Sequence, residues 1–236
     1  MIPEKEKRKL KGAVFIEGLP GVGNIGKIVT ELLITEYKAK KVASFPVERE
    51  PSIVLVQPNS LVRPPTITLY HFKKGKKFLL LTGEGEPEES HEFSRRIATL
   101  IDELSCEEVI TIGGIGLQEL TIKPSVYVAG NNQALIKKYA KLGANQRIYG
   151  VVGPIMGVTG LLLSLAKRPA VALLAESLTH PYYLGFPGAE RVLKLLAKAH
   201  NLKADFSMLQ HSINAMEEAF RGGVPSRQQD EMSYIG

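Results

Sequence analysis

The sequence predicts an α/β fold with a largely parallel central sheet, and three observations carry that prediction. A short apolar run, Ala13 to Glu17, leads straight into a glycine-rich turn spanning Gly18 to Gly26. Strand-like and helix-like stretches then alternate along the chain. Finally, Ala170 to Ala175 is apolar without interruption, the pattern of a strand covered on both faces.

The elements follow in order. Ile25 to Tyr37 has Ile25, Ile28, Val29, Leu32 and Leu33 on one helical face. Strands are expected at Lys41 to Pro46, Ile53 to Gln57, Thr66 to Phe72 and Lys77 to Leu81. Pro46, Pro51, Pro58, Pro64 and Pro65 keep this stretch from being helical. The lysines around Gly75, bracketed by Phe72 and Phe78, read as a hairpin turn. Ser90 to Leu104 is an amphipathic helix built on Phe93, Ile97, Leu100, Ile101 and Leu104.

Glu108 to Ile112 reads as a strand ending in a second glycine turn, Gly113 to Gly116. Ser125 to Ala129 is a strand, Asn131 to Leu142 a helix, Ile148 to Val152 a strand and Val158 to Ala166 a buried helix. Two helices close the domain, at about Gly188 to His200 and Asp205 to Arg221. The last carries Leu209, Ile213, Met216 and Phe220 as an apolar stripe, which is core or the seam for another helix. The expected organisation is a charged N-terminal extension (1–11), one α/β domain (12–221) and a polar C-terminal tail (222–236).

Composition sets the outer bounds. A chain of 236 residues, 44% hydrophobic and 23% charged, is globular and long enough for a large core. The single cysteine, Cys106, excludes an internal disulfide and fits a cytoplasmic, reducing setting. The charged start of the chain lacks the apolar region of a secretory signal. Ile148 to Ala166 is free of charge, but Gly150, Gly153, Pro154, Gly157 and Gly160 divide it, so no membrane span is expected. The net charge of +6 lies in local lysine runs with few aromatics among them, a solvated surface rather than a nucleic-acid site.

The glycine turn matches two phosphate-binding patterns in part. As G-x-G-x-x-G between a strand and a helix, Gly21, Gly23 and Gly26 read as a dinucleotide fingerprint, with pyrophosphate at the helix N-terminus. The acidic residue expected about 20 positions later is approximated by Glu48, beyond Pro46. As a phosphate loop, the turn puts Lys27 in place but follows it with Ile28, which cannot hold magnesium. The ordinary reading is a strand-to-helix turn that needs glycine for φ > 0 and close packing. Gly21, Gly23, Gly26 and Lys27 are therefore weak anion-site candidates, and no cofactor is expected.

The acidic group Glu84, Glu86, Glu88, Glu89, His91 and Glu92 could hold a divalent ion, yet it opens a helix and suits that helix's dipole. No metal site is expected. Cys106, beside Glu107 and Glu108, lacks a basic neighbour in sequence that would activate it. No nucleophile elbow or H-E-x-x-H motif occurs, and the five histidines show no ligand spacing. No catalytic residue is expected.

Four segments together resemble the proteasome assembly chaperone family, in its archaeal branch. They are Gly18 to Lys27, Gly113 to Gly116, Gly153-Pro154-Ile155-Met156-Gly157-Val158-Thr159-Gly160-Leu161-Leu162-Leu163, and Ala172 to Glu176. The resemblance runs from about residue 12 to 220. It implies a Rossmann-like fold, similar to nucleoside phosphorylases but without their catalytic residues. It also implies homo-oligomers, or pairing with a chaperone paralogue, that help proteasome α-subunits assemble.

Archaeal members of the family are associated with a C-terminal hydrophobic–tyrosine–any-residue docking motif. Here the chain ends Met232-Ser233-Tyr234-Ile235-Gly236, with Tyr234 third from the end and Ser233 before it, so the motif is not met. Met232, Tyr234 and Ile235 are instead expected to clip onto a neighbouring copy, together with Leu209, Ile213, Met216 and Phe220. Two alternatives stand beside the chaperone: a phosphate- or nucleotide-binding enzyme or sensor at the glycine turn, and a self-assembling scaffold with no proteasome role.

Overall fold

The computed structural model describes residues 2–47, 53–119, 121, 123–148, 150, 153–203, 209, 211 and 213. In chain order the elements are α1 (Glu4–Leu10), β1 (Val14–Gly18), a 3-10 turn (Val22–Asn24), α2 (Ile25–Glu36), β2 (Lys40–Pro46), β3 (Leu55–Val56), β4 (Val62–Arg63), β5 (Thr66–Lys74) and β6 (Lys76–Gly83). They continue with α3 (Ser90–Glu103), β7 (Glu108–Leu117), β8 (Val126–Gly130), α4 (Gln133–Lys141), α5 (Gly157–Leu165), β9 (Ala170–Leu178) and α6 (Phe186–His200).

Seven strands form one sheet in the order β2-β5-β6-β1-β7-β9-β8. The central four, β6, β1, β7 and β9, are parallel to one another, and β5 and β8 run against their neighbours. The mostly parallel sheet flanked by helices is thus as the sequence predicts. β1 is buried along its whole length because both its faces are covered. Ala13, Phe15 and Glu17 turn to one face, where Phe15 packs in a core with Ile97 and Ile101 of α3 and Val158 and Leu162 of α5. Val14, Ile16 and Gly18 turn to the other, beneath α2.

Two glycines let α2 lie close on that face. A Cβ at Gly18 would stand 2.2 Å from the Gly26 carbonyl oxygen, and one at Gly26 would stand 2.6 Å from the Ile112 oxygen. At the turn itself, Gly23 has φ +64°, a left-handed conformation that favours glycine. The hairpin between β5 and β6 also forms as expected, with Lys74 opposite Lys76 around Gly75.

Two local expectations change, and a third falls largely outside the described residues. Gly113 to Gly116 is not a turn: β7 runs through it to Leu117, paired with β9. The start of the chain is not only a charged extension, because Ile2, ahead of α1, and Leu10, its last residue, enter the core. Ile148 and Gly150 belong to no strand, and their neighbours Tyr149, Val151 and Val152 lie outside the described residues. Among the described residues, no helix is long and apolar enough to cross a membrane.

At the amino end of β7 a buried polar group ties the layers together. Tyr139 donates to Glu108 at 2.6 Å, Lys138 donates to the same carboxylate at 2.8 Å, and the Tyr139 hydroxyl lies 3.1 Å from His200 Nε2. Burial pushes the His200 pKa down to about 4, with Glu108 pulling the other way.

The chain divides into two compact units, Met1–Ala204 and Asp205–Gly236. Of the second, Leu209, His211 and Ile213 are described; all three are helical, and Leu209 and Ile213 are buried. Met216, Phe220, Met232, Tyr234 and Ile235 lie outside the described residues.

Candidate functional site

The site begins with one acidic residue in an otherwise apolar strand. Glu17, near the end of β1, is fully buried. Its carboxylate accepts from the Leu19 N–H at 2.8 Å and from the Thr159 hydroxyl of α5 at 3.1 Å. Burial raises its pKa to about 7 against the pull of those two donors, and nearby Glu86 adds to the rise. Glu17 thereby fastens the start of the glycine turn to α5.

Above it opens a cavity of about 460 Å³, bordered by residues 19–22, Ile25 and Gly26, residues 112–116 of β7, residues 153–157, Glu86, Thr159 and Leu174. It lies where β1 has ended and β7 continues, beyond the carboxyl ends of the parallel strands. Open α/β sheets bind ligands at this location. Among the described residues, Glu86 is the one charged side chain in its lining.

That charge works against an anion. Of the candidates at the glycine turn, Gly21 and Gly26 border the cavity, whereas Gly23 and Lys27 do not. Gly23 is closed over by the chain: its carbonyl accepts from the Gly185 N–H at 2.7 Å, and a Cβ there would meet Ser177 Oγ at 2.2 Å. Lys27 Nζ lies 3.7 Å from Glu31 on the surface of α2. The N-terminus of α2 brings a partial positive charge to the cavity, but Glu86 sets a carboxylate against it.

The acidic group ahead of α3 is dispersed. Glu84 forms a two-pronged ion pair with Arg63 and accepts from the Thr66 N–H at 2.9 Å; Arg63 accordingly holds its pKa below the usual carboxylate value. Glu92 pairs with Arg96 one helical turn on. No metal-sized group of ligands occurs among the described residues. Cys106 is buried, and burial pushes its thiol up to about 12.

A second feature shares this end of the sheet. The strand expected at Ile53 to Gln57 does not enter the sheet; β3 pairs with β4 alone, Leu55 opposite Arg63 and Val56 opposite Val62. This arm leaves Ile53, Val54, Val56, Leu61 and Val62 exposed, Val56 by 73%. Among the described residues, the other exposed bulky apolar side chains are Val22 and Met156 at the cavity and Tyr182 in the loop after β9. All eight therefore lie at the end where β1, β7 and β9 finish.

The model of the PAC2 family matches residues 15–221. The chain belongs to the PAC2 family. Its resemblance to archaeal proteasome assembly chaperones is borne out by solved structures. One is Pyrococcus furiosus PbaB, described as an archaeal proteasome activator, 29% identical, with 90% of this chain and 93% of that chain covered and a TM-score of 0.80. Another is P. furiosus PbaA, described as an archaeal homolog of proteasome-assembly chaperone, 24% identical, with coverage of 90% and 87% and a TM-score of 0.74. The uncharacterized protein MJ1210 of Methanocaldococcus jannaschii is 28% identical over 221 residues, covering 91% of this chain and 84% of that one.

Within this PAC2 framework, Glu17 was findable in sequence as the one acid in Ala13-Val14-Phe15-Ile16-Glu17. The arm was hidden, because an apolar run such as Ile53 to Val56 reads as a core strand.

Proposed function

We infer that this PAC2-family chain is a non-enzymatic, cytoplasmic, oligomeric assembly chaperone or scaffold. Its partners are protein surfaces, with proteasome α-subunits or a related chaperone paralogue foremost and copies of itself alongside. The observation that carries this reading is the gathering of every exposed bulky apolar residue of the described fold at one end of the sheet. Apolar surface of this kind marks protein association. The likeness to PbaB, described as an archaeal proteasome activator, supports the proteasome as the partner class.

A phosphate or nucleotide reading is disfavoured by Glu86 at the cavity and by the placement of Lys27 outside it. A self-assembling scaffold without a proteasome role remains the rival that experiment must separate. The test is co-purification of the full chain with archaeal proteasome α-subunits, read by native mass spectrometry. A stable complex at micromolar concentration is expected. If the α-subunits run alone while the chain self-associates, the scaffold reading replaces the chaperone.

A further inference from the structure

The edge of β7 is paired on one side only beyond Thr111. β1 accompanies it as far as Glu17 opposite Thr111, whereas β9 continues alongside to Leu178 opposite Leu117. Successive residues of a strand turn their backbone groups to opposite edges. The Val109 N–H donates toward the β9 side, to Pro169, and the Leu117 carbonyl accepts there from Thr179. The odd-numbered residues thus serve β9. Gly114 and Gly116 turn their N–H and C=O toward the edge where β1 is no longer present, and both border the cavity. An open ladder edge is the template on which an extended strand adds, through main-chain hydrogen bonds.

The chemistry of the cavity restricts what that strand can be. Its lining among the described residues is apolar and glycine-rich with the single charge Glu86, and Glu17 lies buried beneath. A strand bearing acidic groups would meet the Glu86 carboxylate. The β3–β4 arm has the opposite character: from Ile53 to Arg63 it contains no acidic residue and one base, Arg63. It is also incomplete by itself, since an isolated pair of two-residue strands is too small to be stable in water without further packing.

The arm rises at the same end of the sheet as the cavity. Val47 N–H donates to the Pro65 carbonyl at its base, and Arg63 grips Glu84, two residues before Glu86. None of residues 53–63 borders the cavity of its own chain. With both features at one end, two copies facing each other across a two-fold axis bring each arm to the other's cavity, the self-complementary arrangement of an isologous contact.

We propose that two copies of this chain join by exchanging their β3–β4 arms, each arm laying a strand against the open edge of β7 in the other copy's cavity. This rests on the self-association in the reading above and specifies its surface.

Disulfide trapping tests the contact. Val56→Cys and Met156→Cys are made separately in the full chain, where the buried Cys106 stays silent. Each is oxidised alone and then as an equimolar mixture. The mixture is expected to yield a cross-linked pair at least fivefold above either variant alone. No gain on mixing, or equal cross-linking of Val56→Cys with itself, overturns arm exchange. A second measurement uses Val56→Lys/Val62→Lys, which alters exposed positions only and is checked for an unchanged thermal melt. Light scattering is expected to fall from a mass of at least two copies to one. Retention of the wild-type mass overturns the proposal, as does a wild-type monomer, which would assign the arm to a different protein. Binding of α-subunits without the mixed cross-link would sink arm exchange and leave the chaperone reading standing; the reverse result would do the opposite.

Discussion

The Thr159 hydroxyl donates a 3.1 Å hydrogen bond to Glu17, joining α5 to the last turn of the central strand. Because Glu17 titrates near 7 when folded and near 4.5 when unfolded, the folded state holds its proton more tightly. Its contribution to stability is greatest below 4.5 and is lost as pH rises to about 7. Glu17→Gln keeps an acceptor for Leu19 and a polar contact for Thr159 without the ionisable group. The variant is expected to gain up to about 3 kcal/mol over wild type at pH 8, and to lose that advantage at pH 4.5. Urea melts at the two pH values check this.

His200 has the opposite sign. Its folded value of about 4 lies below the ordinary 6.5, so its contribution is present above 6.5 and is lost as pH falls toward 4. Between about 4.5 and 6.5 the two groups offset each other at slopes of about 1.4 kcal/mol per pH unit. The Glu17→Gln variant is therefore expected to lose stability steeply on acidification through that window. A Glu17→Gln profile as flat as wild type would refute the pairing of effects.

Tyr139→Phe removes a buried donor to Glu108 and the hydroxyl beside His200. Leaving that carboxylate short of a partner is expected to cost about 1–3 kcal/mol. A thermal melt of the variant measures it.

The glycine turn separates packing from ligand binding. Gly18→Ala drives a Cβ into the Gly26 carbonyl at 2.2 Å and is expected to destabilise by about 1–3 kcal/mol or more. Gly21→Ala meets nothing within 4 Å and is expected to stay within about 0.5 kcal/mol of wild type. Gly21→Ala is thus the proper control for nucleotide binding, whereas a substitution at Gly23 strains the backbone and strikes Ser177. Titration calorimetry with ATP is expected to show no saturable heat in either wild type or Gly21→Ala.

The sheet was legible because apolar runs such as Ala170 to Ala175 and Leu79 to Leu81 are covered by helices on both faces, which leaves a direct mark in composition. The glycine turn was legible as geometry: Gly18 and Gly26 are glycine because helix and strand nearly touch. The cavity was not legible, since it depends on β7 outrunning β1, and Gly113 to Gly116 has the composition of a turn. Only the register with β9, set by residues some 60 positions away, makes that segment a strand. The arm escaped for the converse reason: a locally ideal core strand lies outside the core.

The placement of β1 also governs how the molecule is made. Val14 pairs with Phe78 on one side and Glu108 on the other, so neither neighbour exists when the first strand is synthesised. At ribosomal speeds of about 5–20 residues/s, β1 waits on the order of 5–20 s before both its edges can be closed. During that interval a nascent chain carries an apolar strand with at least one edge unpaired. The maturation of this PAC2-family protein is therefore timed by the emergence of β7.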